Sequence, residues 1–221
     1  MADYGGTSEM KVVNATQLDA DLTSVANAIR TRGGTTEPMS FPNGMAEAVE
    51  SIPDYMHLRI SNQLTEYRNE QHTGYVYKGS FRYSSKLTSV YMPNVVGLND
   101  EVFRECPALE SIKLENVRAL GGNVFYDCKA LKKVELPSAT YIAGNSFHMA
   151  SALEALILAS TTSLCQLAGT GAFNNTPIAS GTGYIYVPSV MVDSYKAATN
   201  WTTFADRIRA IEDYPEITGG A

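Results

Sequence analysis

One spacing constrains this chain more than any other feature. Leu87, Leu109, Leu131 and Leu153 fall 22 residues apart, and so do Val90, Ile112, Val134 and Leu156. Met92, Leu114, Leu136 and Leu158 keep the same step, as do Phe81, Phe103, Phe125 and Phe147; Leu98, Leu120 and Ile142 add a fifth column. Phe173 rejoins the aromatic column after an insertion of four residues, and Ile185-Tyr186-Val187-Pro188 repeats Val134-Glu135-Leu136-Pro137. Apolar columns in one register mean that equal lengths of chain pile up as coils. No coil closes a core alone, but a stack of them does.

Within each coil, Val90 and Met92 alternate with Ser89 and Tyr91, which marks a short strand with one buried face. Pro93, Pro137 and Pro188 end the strand, because proline cannot extend a ladder. The rest of the coil returns the chain while inserting residues such as Leu98 and Phe103. Neighbouring strands are then parallel and about 4.8 Å apart, so five of them make a stack of roughly 20–25 Å. Each buried Leu, Val or Phe contributes roughly 1.5–3 kcal/mol, most of it offset by backbone ordering. The two open ends need covers.

The flanking segments supply candidates. Residues 14–53 read as two helices, with Leu18, Leu22, Val25, Ala26 and Ile29 on one face of the first and Met45, Ala48, Val49 and Ile52 facing inward on the second. Thr16 with Asp19 resembles a capping pair, and the Arg30–Gly34 stretch ends the first helix. A pair this small is not stable alone. It is expected to dock or oligomerise through Leu18, Leu22, Val25, Ile29, Met45 and Val49, giving a homo-oligomer such as a trimer. Residues 1–13 read as flexible, and 54–80 as a strand cap built from Tyr55–Ser61 and Tyr75-Val76-Tyr77. Residues 81–188 are the repeats. Residues 189–214 form a helical cap with Ser189 as N-cap and Trp201, Phe204, Ile208 and Ile211 as its bulk. Residues 215–221 are a tail expected to fray from Ile217 onward.

The net charge of −6 argues against a general affinity for nucleic acid or anionic lipid. No apolar run is long enough for membrane insertion. The N-terminus MADYGGTSEMKVVN has neither a basic region nor an apolar one, so synthesis in a cytoplasm without a signal peptide is expected. Cys106 and Cys128 share a column continued by Ala150 and Thr176, which calls for small side chains and leaves open whether the two ever pair; Cys165 reads as a small buried residue. None of His57, His72 and His148 has a second ligand at metal spacing, and no serine lies in a G-x-S-x-G context. Gly169-Thr170-Gly171 lacks the rest of a phosphate loop, so the Gly169–Asn175 stretch is only a remote place for a small molecule or a reaction. No catalytic residue, metal or cofactor is expected, and the chain is not expected to be an enzyme. The candidate site is instead the outer face of the sheet. One row runs Tyr91, Lys113, Glu135, Ile157, Tyr186 and another Ser89, Ser111, Lys133, Ala155. Lys113 and Glu135 are placed for a cross-strand ion pair worth a few tenths of a kcal/mol.

The pattern AL-x-x-V-x-LP, followed by a loop with an apolar residue five before Phe and then a small residue, resembles BspA-like leucine-rich repeats. The closing YIYVPSVMVDSYKAATNWTTFADRIRAIEDY resembles their usual terminal segment. The resemblance implies an α+β fold: a leucine-rich repeat solenoid of 22-residue coils, with a parallel β-sheet on one face, a small helical N-terminal segment and a helical C-terminal cap. It also implies binding to protein or glycan without catalysis. Residues 14–52 resemble a segment of tail-associated structural proteins of tailed bacteriophages, often found ahead of adhesin modules. That resemblance implies a virion protein, such as a tail fibre, baseplate component or related adhesin, whose partners are other virion proteins or a host-surface protein or glycan. The alternative is a bacterial BspA-like protein at the cell surface.

Overall fold

The computed structural model describes residues 64–218. The docking residues Leu18, Leu22, Val25, Ile29, Met45 and Val49, and the strand expected at Tyr55–Ser61, lie outside the described residues.

The described chain is a stack of coils with strands on two walls. One wall carries β1 (Glu66–Arg68), β3 (Ser89–Tyr91), β5 (Ser111–Lys113), β7 (Lys133–Glu135), β9 (Ala155–Ile157), β11 (Tyr184–Val187) and β12 (Ile208–Ala210). The other carries two-residue strands: β2 (Tyr75–Val76), β4 (Gly97–Leu98), β6 (Ala119–Leu120), β8 (Tyr141–Ile142) and β10 (Gln166–Leu167). Among the described residues every strand pairing is parallel. A sheet on one face therefore understates the architecture, since strands of two residues are too short to show an alternation in sequence. The long-strand wall consists of two ladders, β1-β3-β5 and β7-β9-β11-β12. Among the described residues no ladder pair joins β5 to β7, and Ile112 is only half-buried where Val90, Val134 and Leu156 are buried.

Coils also extend beyond the expected repeat bounds. At the start, β1 and β2 pair with β3 and β4, so the described part of the expected strand cap belongs to a coil of the stack. At the end, β12 pairs with β11, Ile208 opposite Ile185, so the C-terminal cap adds a strand as well as the one-and-a-half-turn α1 (Val192–Ala197). Ser189 opens a 3-10 turn, with Pro188 as its N-cap, and makes no side-chain cap bond. Instead its N–H donates to Glu212 Oε2 at 2.9 Å.

Phenylalanines form the spine of the core. Phe81, Phe103, Phe125, Phe147 and Phe173 stack with centroids 5.1, 5.6, 5.5 and 5.5 Å apart and planes within 14° of parallel. Tyr67 meets the first ring edge-on at 4.7 Å, and Phe204 meets the last at 5.1 Å. Edge contact suits these ends, because a ring's positive rim lies against its neighbour's negative face.

The first four phenylalanines are each bracketed by two residues at positive φ, and Phe173 is followed by one. Gly79, Glu101, Asn123 and Asn145 precede the ring by two residues, and Tyr83, Glu105, Asp127, Met149 and Asn175 follow it by two, all with φ between 56° and 67°. The kinks aim backbone amides at the next coil: Phe103 N donates to Val124 O at 2.9 Å and Glu105 N to Tyr126 O at 2.7 Å. Asparagine tolerates this conformation better than the other non-glycine residues here.

The small-residue column begins one coil earlier than expected, at the buried Ser84. Cys106 and Cys128 are buried free thiols whose Sγ atoms donate to the carbonyls of Phe81 and Phe103 at 3.0 and 3.1 Å. Burial pushes the Cys106 and Cys165 thiols up to about 12 and also raises the Cys128 thiol well above its ordinary value. Two buried columns escaped the reading altogether: Val95, Val117 and Ala139, and Val102, Val124, Ser146 and Ala172.

The inserted residues are also placed differently from expectation. β10 pairs with β8 at an offset of 25 residues, Gln166 opposite Tyr141, and Phe173 stacks on Phe147 at an offset of 26. Most of the extra chain therefore precedes β10. The Gly169–Asn175 stretch forms a 3-10 turn, Thr170–Phe173, that delivers Ala172 and Phe173 to the core.

Candidate functional site

Strand pleating sends alternate side chains out of the long-strand wall. The register places Arg68, Tyr91 and Lys113 in one outward row, and Ile157, Tyr186 and Arg209 in its continuation across the second ladder. Glu135, opposite Ile157, begins the second row at the break between the ladders. The two halves of this face have different fates.

The second half is covered by the chain itself. Ile157 is 2% exposed, Tyr186 5% and Ala155 5%, so these members of the expected exposed rows are buried. They form a separate small cluster with Tyr184, Ile211, Tyr214 and Ile217. Tyr214 meets Tyr186 edge-on at 5.4 Å, and burial raises the Tyr186 hydroxyl above its usual range. Arg209 lies 4.1 Å over the Tyr184 ring and donates to Tyr214 Oη at 3.0 Å. The Glu212 carboxyl is held below its usual range, first by its own backbone N–H and then by that of Ser189. The tail expected to fray thus folds back as the 3-10 turn Pro215–Thr218, and Lys133 Nζ donates to Ile217 O at 2.9 Å. Apolar residues on an outer face were read as exposed because sequence gives no sign of a distant segment returning over them.

The first half is open. Tyr91 is half-buried, with the Arg68 guanidinium 4.0 Å above its ring and Lys113 Nζ 5.8 Å away. Ser111, Lys113, Lys133 and Glu135 are exposed. The expected Lys113–Glu135 pair gives way to pairs within each coil: Lys113 Nζ lies 2.9 Å from Glu115 and Lys133 Nζ 2.7 Å from Glu135. Glu115 raises the Lys113 ammonium above its ordinary value, first through this hydrogen bond. Partners two residues away along one coil cost less ordering than partners across the unladdered β5–β7 step. The open surface therefore presents a cation-flanked tyrosine beside two lysine–glutamate pairs, which suits polar contact more than hydrophobic docking.

His148 is half-buried and stacks on Tyr126 at 5.1 Å, with Nε2 3.5 Å from Asn175 Nδ2. Among the described residues no cluster of three or more His, Cys, Asp or Glu is placed to hold a metal ion, and no helix is long and apolar enough to cross a membrane.

Coils stacked through parallel ladders, with a polar patch left on one wall, define a repeat-built scaffold of the solenoid class. Residues 47–192 match the family described as BspA type leucine rich repeat region, in six copies, which is about two thirds of the chain. The chain belongs to this family. Among solved structures, it is similar to the leucine rich repeat protein of T. pallidum at 19% identity and a TM-score of 0.48, over 57% of this chain and 59% of that one. It is also similar to a leucine-rich repeat protein from Bacteroides ovatus at 19% identity and a TM-score of 0.44, over 72% of this chain and 40% of that one. The chain thus spans less than two thirds of either neighbour. Among curated proteins none matches it closely enough to count as a relative.

Proposed function

We propose that this protein is a non-catalytic recognition module that binds a protein or glycan through the open half of its long-strand wall, centred on Tyr91, Lys113, Lys133 and Glu135. The observation that carries the reading is the contrast along one face. The C-terminal segment covers Ala155, Ile157 and Tyr186, while the equivalent positions of the preceding coils stay open. Exposed rows on repeat scaffolds are frequent contact surfaces, and a tyrosine held by cations is a rigid anchor for a partner. The buried Ile157 and Tyr186 take no part. The test is binding of the labelled full chain to intact bacterial cells. Tyr91→Ala combined with Lys113→Ala is expected to weaken binding at least tenfold, and Tyr184→Ala to leave it within twofold. Unchanged binding by the double variant rejects the surface.

Within this reading the module is an adhesin of a tailed-phage particle. Residues 14–53, through Leu18, Leu22, Val25, Ile29, Met45 and Val49, dock it onto other virion proteins or join copies in a homo-oligomer such as a trimer. The resemblance of residues 14–52 to tail-associated proteins supports this. Family membership favours a second reading, a bacterial surface or host-interaction protein, to the same degree. Mass spectrometry of purified particles separates the two: the chain is present in virions under the first and in washed cell envelopes under the second. Light scattering showing only a 24.0 kDa species at high concentration removes the oligomer.

A further inference from the structure

The opposite wall carries a second feature that the proposed surface does not use. The pairings Tyr75–Gly97, Gly97–Ala119 and Ala119–Tyr141 set four outward positions in one row across β2, β4, β6 and β8. A tyrosine stands at each end, with the two smallest residues between. Two residues further along their coils come Tyr77, Asn99 and Gly121. The result is a groove of about 390 Å³ lined by Tyr75, Tyr77, Tyr141, Lys78, Asn99 and Asp100. Leu98 and Leu120 also line it and anchor its strands in the core.

Two glycines shape it. A Cβ on Gly97 would lie 2.3 Å from Tyr75 Cε1, so the Tyr75 ring rests against the strand only because residue 97 has no side chain. A Cβ on Gly121 would lie 2.6 Å from the backbone of Asn99 and Asp100. Asp100 is also fixed, its Oδ1 accepting the Gly122 N–H at 2.7 Å. Among the described residues four large hydrophobic side chains stand exposed, Tyr75, Tyr77, Tyr141 and Val190, and three of them line this one groove. Such clustering marks a ligand site more often than chance.

We infer that this groove binds a neutral oligosaccharide. Its size falls in the range of small-ligand sites, whereas a stable protein interface takes some 20–30 residues a side. Lys78 and Asp100 oppose one another in charge, so the groove draws neither a polyanion nor a polycation. Tyrosine faces are negative at the ring centre and receive the C–H faces of a sugar. Asn99, Asp100 and Lys78 supply acceptors and donors for its hydroxyls. Tyr75 and Tyr141 stand three strand steps apart, about 14 Å, which exceeds one sugar ring and calls for an oligosaccharide.

The test is calorimetric titration of the full chain with maltohexaose, cellohexaose, mannohexaose and chitohexaose, and with a heparin hexasaccharide as the charged counterpart. At least one neutral sugar is expected to bind, with affinity falling tenfold or more in Tyr75→Ala and in Tyr141→Ala. Val190→Ala, at an exposed apolar residue outside the groove, leaves it unchanged. Tyr75 and Tyr141 are exposed at 51% and 40%, and unchanged thermal melts confirm that the variants fold. Failure of every neutral sugar, preference for heparin, or binding that survives Tyr141→Ala overturns the inference. A loss in Tyr91→Ala alone assigns sugar binding to the other wall and also overturns it.

Discussion

The two halves of the long-strand wall share a backbone and a register but not a surface. Over β9 and β11 the chain returns on itself, and Ile211, Tyr214 and Ile217 bury Ala155, Ile157 and Tyr186. Over β3 and β5 nothing described returns, and the outward residues are Ser89, Tyr91, Ser111 and Lys113. Apolar outward residues coincide with cover and polar ones with exposure, which is what burial free energy requires of each. A repeat therefore fixes where a side chain points but not whether it meets water.

The ends differ in the same way. The C-terminal end is sealed by side chains that complete the edge of β10: Trp201 Nε1 donates to Cys165 O at 2.7 Å, Cys165 N donates to Tyr195 Oη at 2.9 Å, and Asn200 Nδ2 donates to Leu167 O at 2.7 Å. At the other end of the described stack the first ring is met by the half-buried Tyr67. Trp201→Ala should therefore lose about 3–5 kcal/mol of unfolding free energy, measured by urea denaturation, and Tyr67→Ala distinctly less. Equal losses break the comparison of ends.

The comparison of faces predicts smaller effects. Tyr214→Ala should cost about 1–2 kcal/mol and increase binding of an apolar dye, because it uncovers Tyr186, whereas Tyr91→Ala should stay within about 0.5 kcal/mol. A Tyr91 effect as large as that of Tyr214 means the open half is also structurally engaged. Alkali should also weaken the sealed end. Burial raises the Tyr195 hydroxyl from 10.0 to about 12, so the folded state holds this proton more tightly than the unfolded one. Its contribution is complete below pH 10 and is lost as pH rises towards 12. Melting temperature followed over that window should fall in the parent more steeply than in Tyr195→Phe. The smallest change is a gain: Met149→Asn relieves a side chain at φ 62° and should add about 0.5–1 kcal/mol.

Much of this architecture was legible. Leu87, Val90, Met92 and Phe103 announce their columns because each apolar side chain recurs at a fixed step, and all four are buried. Asn123, Asn145 and Asn175 hint at left-handed turns, but Glu101, Glu105 and Met149 hold the same conformation with no local signal. The short-strand wall was hidden because Tyr75-Val76 and Gly97-Leu98 are too brief to alternate. The candidate surface was half legible. Tyr91, Lys113, Lys133 and Glu135 lie open, while Ile157 and Tyr186 do not, and the tyrosine groove went unnoticed because its members sit in separate coils.

Sequence by itself determined the stacking, since the spacing of apolar residues dictates which side chains can share a core when coils of equal length are piled. Tertiary structure alone decided which parts of the outside remain outside. That depends on residues far along the chain, such as Tyr214 folding over Tyr186 or Tyr75 lying against Gly97. No local pattern records these contacts, because their free energy exists only once both segments are in place.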